Sequence, residues 1–187
     1  MDLQAQWRLM PSRGLEKLYS REQIARQVQR LGEEISRDYA GKDLLLVCVL
    51  KGSFLFFADL VRAISLPAKV DFVRVASYGP HTETTGLVEF RKDLEMSVAD
   101  RHVLIVDDIL DSGFTLEALY QQLAGRQPTS LKACVFLDKR HARQTSFEAD
   151  YVGISFDSGF VVGYGLDYQE NYRNLADIYL FDPAQSV

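Results

Sequence analysis

The chain has 187 residues, 47% of them apolar and 25% charged, the mix of a globular protein with one sizeable core. Its 21 Lys and Arg stand against 26 Asp and Glu, a formal net charge of -5. That balance speaks against a nucleic-acid or anionic-membrane binder, since either wants a basic face.

The longest apolar run, Leu44 to Leu50, is far short of a membrane span, and Met1 to Gln6 lacks the order of a signal peptide. No repeat, low-complexity stretch or long linker interrupts the sequence, so residues 1–187 read as a single domain. Ser20-Arg21-Glu22-Gln23 has capping-box form, and Ile24, Val28, Leu31 and Ile35 follow at helical spacing. This predicts an amphipathic helix over 21–40, stopped at Gly41. Leu44 to Leu50 predicts a strand buried on both faces, as strands of parallel sheets are. Lys51-Gly52-Ser53 is a tight turn before a helix over 54–64.

A second strand is expected over 70–76, then a polar, turn-rich stretch over 77–86. Val103 to Val106 reads as a short strand meeting an acidic loop, with a helix over 115–123 behind it. Further strands are expected over 131–137, 151–156, 160–164 and 178–181. Strands alternating with helices give an α/β fold with a mostly parallel central sheet, whose ligands sit at the carboxyl ends of the strands. Cys48 and Cys134 each lie inside an apolar run. They read as two buried thiols in a reducing cytoplasm.

Val103 to Leu119 carries the most chemistry. Its strand delivers Asp107 and Asp108, and Asp111-Ser112-Gly113-Phe114-Thr115 then turns into a helix. Backbone N–H groups, two hydroxyls and a helix N-terminus can cradle one phosphate there. Three carboxylates beside a phosphate need another partner, which a sugar diol or a divalent cation supplies. An acidic surface loop, with Ser112 or Asp111 capping the helix, is the plain alternative. A phosphoacceptor receiver domain would need a later strand-end lysine to hold its phosphate, but Lys139 is the last lysine, and an acidic pair at residue 107 leaves a short remainder that is lysine-free beyond it. A nucleoside-triphosphatase would need G-x-x-x-x-G-K-[ST], which is absent.

This loop resembles the phosphoribosyl-pyrophosphate signature of the type I phosphoribosyltransferases. Leu50 to Ser53, Ser77-Tyr78-Gly79, Leu137-Asp138-Lys139, Phe160 to Tyr168 and Tyr172-Arg173-Asn174 extend the likeness from about Leu15 onward. They point to the hypoxanthine-guanine branch. The resemblance implies the type I fold, helices flanking a parallel sheet under a small hood built from the chain ends. It also implies a homodimer or homotetramer.

By the same resemblance, Asp107 and Asp108 take the ribose hydroxyls while Asp111, Ser112, Gly113, Phe114 and Thr115 hold the 5′-phosphate. Asp107 is one methylene shorter than the Glu of many purine-specific members, leaving room for water or Mg²⁺. Lys51, Gly52 and Arg173 bind pyrophosphate, with the Leu50–Lys51 bond cis. Lys139 donates to the purine 6-oxygen, Phe160 stacks on the base, and Val161 offers backbone groups to its edge. Asp107, Asp108 and Asp167 are the implied Mg²⁺ ligands. The 77–86 stretch, with Ser77 and Tyr78, is the implied lid.

The reaction so implied moves a phosphoribosyl group to hypoxanthine or guanine in purine salvage, with Asp111 as the catalytic acceptor. A lysine is donor-only, so an adenine amino group opposite Lys139 would set two donors face to face. A xanthine-preferring transferase stays open. So does a regulatory relative that binds nucleotide and RNA, which the net charge disfavours. Gly163-x-Gly165 lacks the third glycine of a dinucleotide fingerprint and reads as a flexible strand edge. His81, His102 and His141 form no triad or metal spacing.

Overall fold

A computed structural model describes residues 14–76 and 89–185. Residues 77–86, with the lid expected at Ser77 and Tyr78, lie outside the described residues. Helix α1, Arg21–Asp38, begins as its sequence predicts. Ser20 Oγ accepts from the Gln23 N–H, and Gln23 Oε1 accepts from the Ser20 N–H at 2.8 Å. The two satisfy each other's orphan donors. Helix α2 is Phe54–Ala63 and α3 is Phe114–Ala124.

Strands β1 to β9 are Leu15–Tyr19, Leu44–Leu50, Ala68–Ala76, Glu89–Lys92, His102–Leu110, Ser130–Asp138, Tyr151–Ser155, Val161–Val162 and Ile178–Phe181. Six of them form the main sheet in the order β4-β3-β2-β5-β6-β7. All pair in parallel except β4, which runs antiparallel to β3 at the edge. The continuous apolar run of β2 has its reason here, because it pairs on both sides and is covered on both faces.

Alternation along the strands sorts the core into two layers. Leu44, Leu46, Cys48, Leu104 and Val106 pack with Ile24, Leu31 and Ile35 of α1 and Phe56 and Leu60 of α2. Leu45, Val47, Val103 and Ile105 pack on the other side with Leu116, Leu119 and Leu123 of α3. Both cysteines are free and buried. Among the described residues no helix is long and apolar enough to cross a membrane.

The second sheet has the order β1-β9-β8, all antiparallel, and joins the two ends of the chain into a hood. Strands β1 and β4 were not expected from sequence. Both lie at sheet edges, and their partly exposed, mixed residues carry little periodic signal.

Two further expectations are corrected. Strand β5 does not end at Val106 but runs on to Leu110, its ladder with β6 continuing at Asp107↔Val135 and Ile109↔Leu137. Backbone pairing is indifferent to side-chain charge, so the acidic pair lies inside the strand. The strand expected over 160–164 shrinks to Val161–Val162 because Gly163, Tyr164 and Gly165 all turn to positive φ.

Candidate active site

The carboxyl ends of β2, β5 and β6 meet under the hood around a cleft of about 330 Å³. Its wall brings together Lys51, Gly52, Asp108, Asp111, Lys139, Phe160, Val161, Asp167 and Arg173. These come from five stretches of sequence, in the last residues of a strand, just past a strand end, at β8 or in the loop after β8. Asp107 lies just beneath, 8% exposed. Ser112, Gly113, Phe114 and Thr115 continue from Asp111 into α3 without lining this cleft.

At the start of α3 the N-cap is Gly113, with φ 94°, and no side chain caps the helix. Neither Ser112 nor Asp111 takes that role, which removes the plain capping alternative. The first-turn N–H groups are left for an external acceptor, and a phosphate suits them in charge and geometry.

The Leu50–Lys51 peptide bond is cis. Gly52, next in the turn, packs directly on Asp108, and a Cβ there would lie 1.8 Å from Asp108 Oδ2. A Cβ on Gly165 would lie 2.0 Å from the Gly52 carbonyl oxygen. The two glycines let three backbone segments close up beside Asp108. Gly163-x-Gly165 is therefore a packed corner, correcting its reading as a flexible edge.

Burial and the neighbouring Asp108 charge push the Asp107 carboxyl well above the usual carboxylate range. Burial also raises Asp108, against backbone donation and the Arg173 charge. Across the cleft, Lys139 Nζ stands 3.7 Å from Asp111 Oδ1. Phe160 is 45% exposed and braced by Tyr168 edge-on and by Phe181 tilted against it, with ring centroids at 5.8 and 6.2 Å. An exposed aromatic face held from behind suits a stacking platform. Val161 is buried in β8, paired with Leu180 of β9.

The loop after β8 is unusual. Tyr164, Gln169, Glu170 and Tyr172 all adopt positive φ, a conformation that persists only where surroundings enforce it. It holds Arg173, whose guanidinium donates to the Gly165 carbonyl at 2.8 Å and pairs with Asp167 Oδ1 at 2.7 Å. Glu170 stands in the same loop, at φ 64°. One oxygen of its carboxylate takes both Lys51 Nζ at 2.8 Å and Arg173 at 3.3 Å. Those hydrogen bonds, Lys51 first, hold its carboxyl below the usual range. No local pattern marks Glu170, because its partner Lys51 is 119 residues away.

Among the described residues no three metal-binding side chains converge. Asp107, Asp108 and Asp167 therefore do not make one cage, and Asp167 is engaged by Arg173. This donor set still fits Mg²⁺, which is held by one or two carboxylates together with substrate phosphates and water.

The chain matches the family model of the phosphoribosyl transferase domain over residues 14–169. It is 46% identical over 172 residues to hypoxanthine-guanine phosphoribosyltransferase of Mycobacterium tuberculosis, covering 89% of this chain and 85% of that one. The same-named protein of Aquifex aeolicus is 42% identical over 169 residues, covering 90% and 95%. In structure the chain is similar to a hypoxanthine phosphoribosyltransferase of Staphylococcus aureus. There the TM-score is 0.90 at 41% identity, over 94% of this chain and 96% of that one.

Proposed function

The chain belongs to the phosphoribosyl transferase family, and from that premise we propose the reaction its cleft performs. The 5-phosphoribosyl group of phosphoribosyl pyrophosphate moves to a 6-oxopurine base, hypoxanthine or guanine. The products are the nucleoside monophosphate and pyrophosphate, a purine-salvage reaction. One observation carries this reading. A single cleft presents a donor-only lysine beside a carboxylate, an aromatic face, and two cations already engaged by an anion.

Lys139 donates to the purine 6-oxygen and Asp111 accepts from the imidazole N–H on the same edge of the base. These are adjacent groups, suited to side chains 3.7 Å apart. Phe160 stacks on the base and Val161 offers its backbone to the ring edge. The uncapped N-terminus of α3, with Ser112 to Thr115, holds the 5′-phosphate. Asp107 and Asp108 face the ribose hydroxyls.

A purine ring nitrogen forms the new bond to the anomeric carbon as the carbon–oxygen bond to pyrophosphate breaks. The departing oxygen keeps that electron pair, while Asp111 takes the imidazole proton or its hydrogen bond. Lys51, the Gly52 backbone and Arg173 hold the leaving group. Asp167 and the Asp107–Asp108 pair would hold Mg²⁺, which when bound neutralises charge developing on pyrophosphate.

The two free, buried thiols fit a reducing cytoplasm. A homodimer or homotetramer, read by analytical ultracentrifugation, completes the proposal. The deciding experiment measures turnover of hypoxanthine, guanine, xanthine and adenine with phosphoribosyl pyrophosphate, following pyrophosphate release. Oxopurine turnover with adenine excluded supports the reading. Equal use of adenine, or no turnover of any base, overturns it.

A further inference from the structure

Arg143 has no part in the chemistry above, yet its guanidinium joins both halves of the base site. It follows the 3-10 turn Arg140–Ala142, and its side chain is only 13% exposed. Its Nε donates to the Asp111 carbonyl at 3.1 Å. One terminal nitrogen serves the Asp138 carboxylate and, at 3.5 Å, the Leu110 carbonyl. The other donates to the Phe147 carbonyl.

The acceptors define what this fork controls. Asp138 is buried and immediately precedes Lys139, and its other oxygen takes Arg140 Nε at 3.0 Å. Leu110 ends β5, and its carbonyl also accepts from the Lys139 N–H at 3.0 Å. Asp111 is the first residue past the β5–β6 ladder, so pairing between strands no longer orients it. The same guanidinium thus grips the residue before Lys139 and the backbone of Asp111. A planar fork with five fixed donors can hold acceptors on several segments at once, which a lysine cannot.

We propose that Arg143 is a positioning residue that sets the spacing between Lys139 and Asp111, so that they address adjacent groups on one purine edge. This rests on the base-reading roles given above for those two residues. Arg143 touches no reacting atom. It acts through the geometry of its two neighbours.

The test compares Arg143→Gln, Arg143→Lys, Lys139→Ala and the double variant Lys139→Ala/Arg143→Gln. For each, kcat/KM is measured with hypoxanthine and with adenine, and thermal unfolding is recorded in parallel. A misplacement of about 1 Å lowers rates about 10²-fold. Arg143→Gln is accordingly expected to lose about that much kcat/KM for hypoxanthine, with the hypoxanthine-to-adenine ratio falling toward that of Lys139→Ala.

The double variant is expected to lose no more selectivity than Lys139→Ala alone, because both changes disable one device. The selectivity ratio does not depend on the fraction of enzyme folded. Arg143→Lys, which keeps a charge beside Asp138, supplies the ratio if the Gln variant does not fold. A ratio unchanged from the parent in either Arg143 variant overturns the proposal and leaves Arg143 a structural residue. If Lys139→Ala itself leaves the ratio unchanged, the base-reading role falls first and the positioning role with it.

Discussion

Lys139 Nζ and Asp111 Oδ1 face each other across 3.7 Å although they come from different strand ends, those of β6 and β5. The lysine side chain is 21% exposed and the aspartate 54%. One offers only donors, and an ionised aspartate offers only acceptors. Parallel pairing of β5 with β6 brings them level, since Leu110 stands opposite Asp138 and Asp111 and Lys139 follow immediately.

Lys139→Ala is expected to raise KM for the base more than KM for phosphoribosyl pyrophosphate, and to erode discrimination against adenine. An unmet donor opposite the adenine amino group costs about 1–3 kcal/mol, or about 5- to 150-fold in selectivity. Steady-state kinetics with both bases checks this. Equal losses for both substrates would indicate a general folding defect.

Asp111→Asn is expected to lower kcat by about 10²–10⁴-fold while largely sparing phosphoribosyl pyrophosphate affinity. The Asp111 backbone, held by Arg143, keeps its place in the loop whatever the side chain does. Asn keeps the size and accepts one hydrogen bond, but it cannot take a proton. The loss should appear together in kcat and in kcat/KM for the base. A steep rise in KM for phosphoribosyl pyrophosphate with kcat intact would make Asp111 a loop-former only.

Glu170→Gln is expected to tighten binding of pyrophosphate. The Glu170 carboxylate occupies Lys51 and Arg173, the cations assigned to that anion, and must release them when it binds. Exposed pairs of this kind are weak and screened by solvent, so inhibition by pyrophosphate should strengthen only a few-fold. The gain should shrink at high salt, where the competing pair is already screened. Unchanged or weaker inhibition at low salt would rule out competition.

Native Cys48 and Cys134 are expected to resist a disulfide reagent at pH 8 and to react once the chain is unfolded. Burial raises both thiols, Cys48 to about 11, so the reactive thiolate is scarce. A folded pKa above the unfolded value of about 8.5 also sets the sign of linkage. The contribution of Cys48 to stability is fully present below pH about 8.5 and is lost as pH rises toward about 11. Denaturant titrations across that window, compared with Cys48→Ala, read this directly. A titration difference of the opposite sign would mean that the thiol is not held neutral.

Much of the molecule follows from short-range patterns. The unbroken apolar run of β2 could satisfy itself only inside a parallel sheet, and Ser20 to Ile35 carries its own cap and apolar stripe. The Asp111 to Thr115 turn and the Lys51-Gly52 turn are local too, because neighbours in sequence form each turn. Tertiary structure decided what depends on partners far along the chain. Strand β1 exists because β9 pairs with it from the other end, and β5 outruns its apolar segment because β6 continues the ladder. Glu170 meets Lys51 across 119 residues, and Arg143 reaches back 32 residues to Asp111. A side chain's type reveals what it can donate or accept, but only the packed sheet determines which distant group it meets.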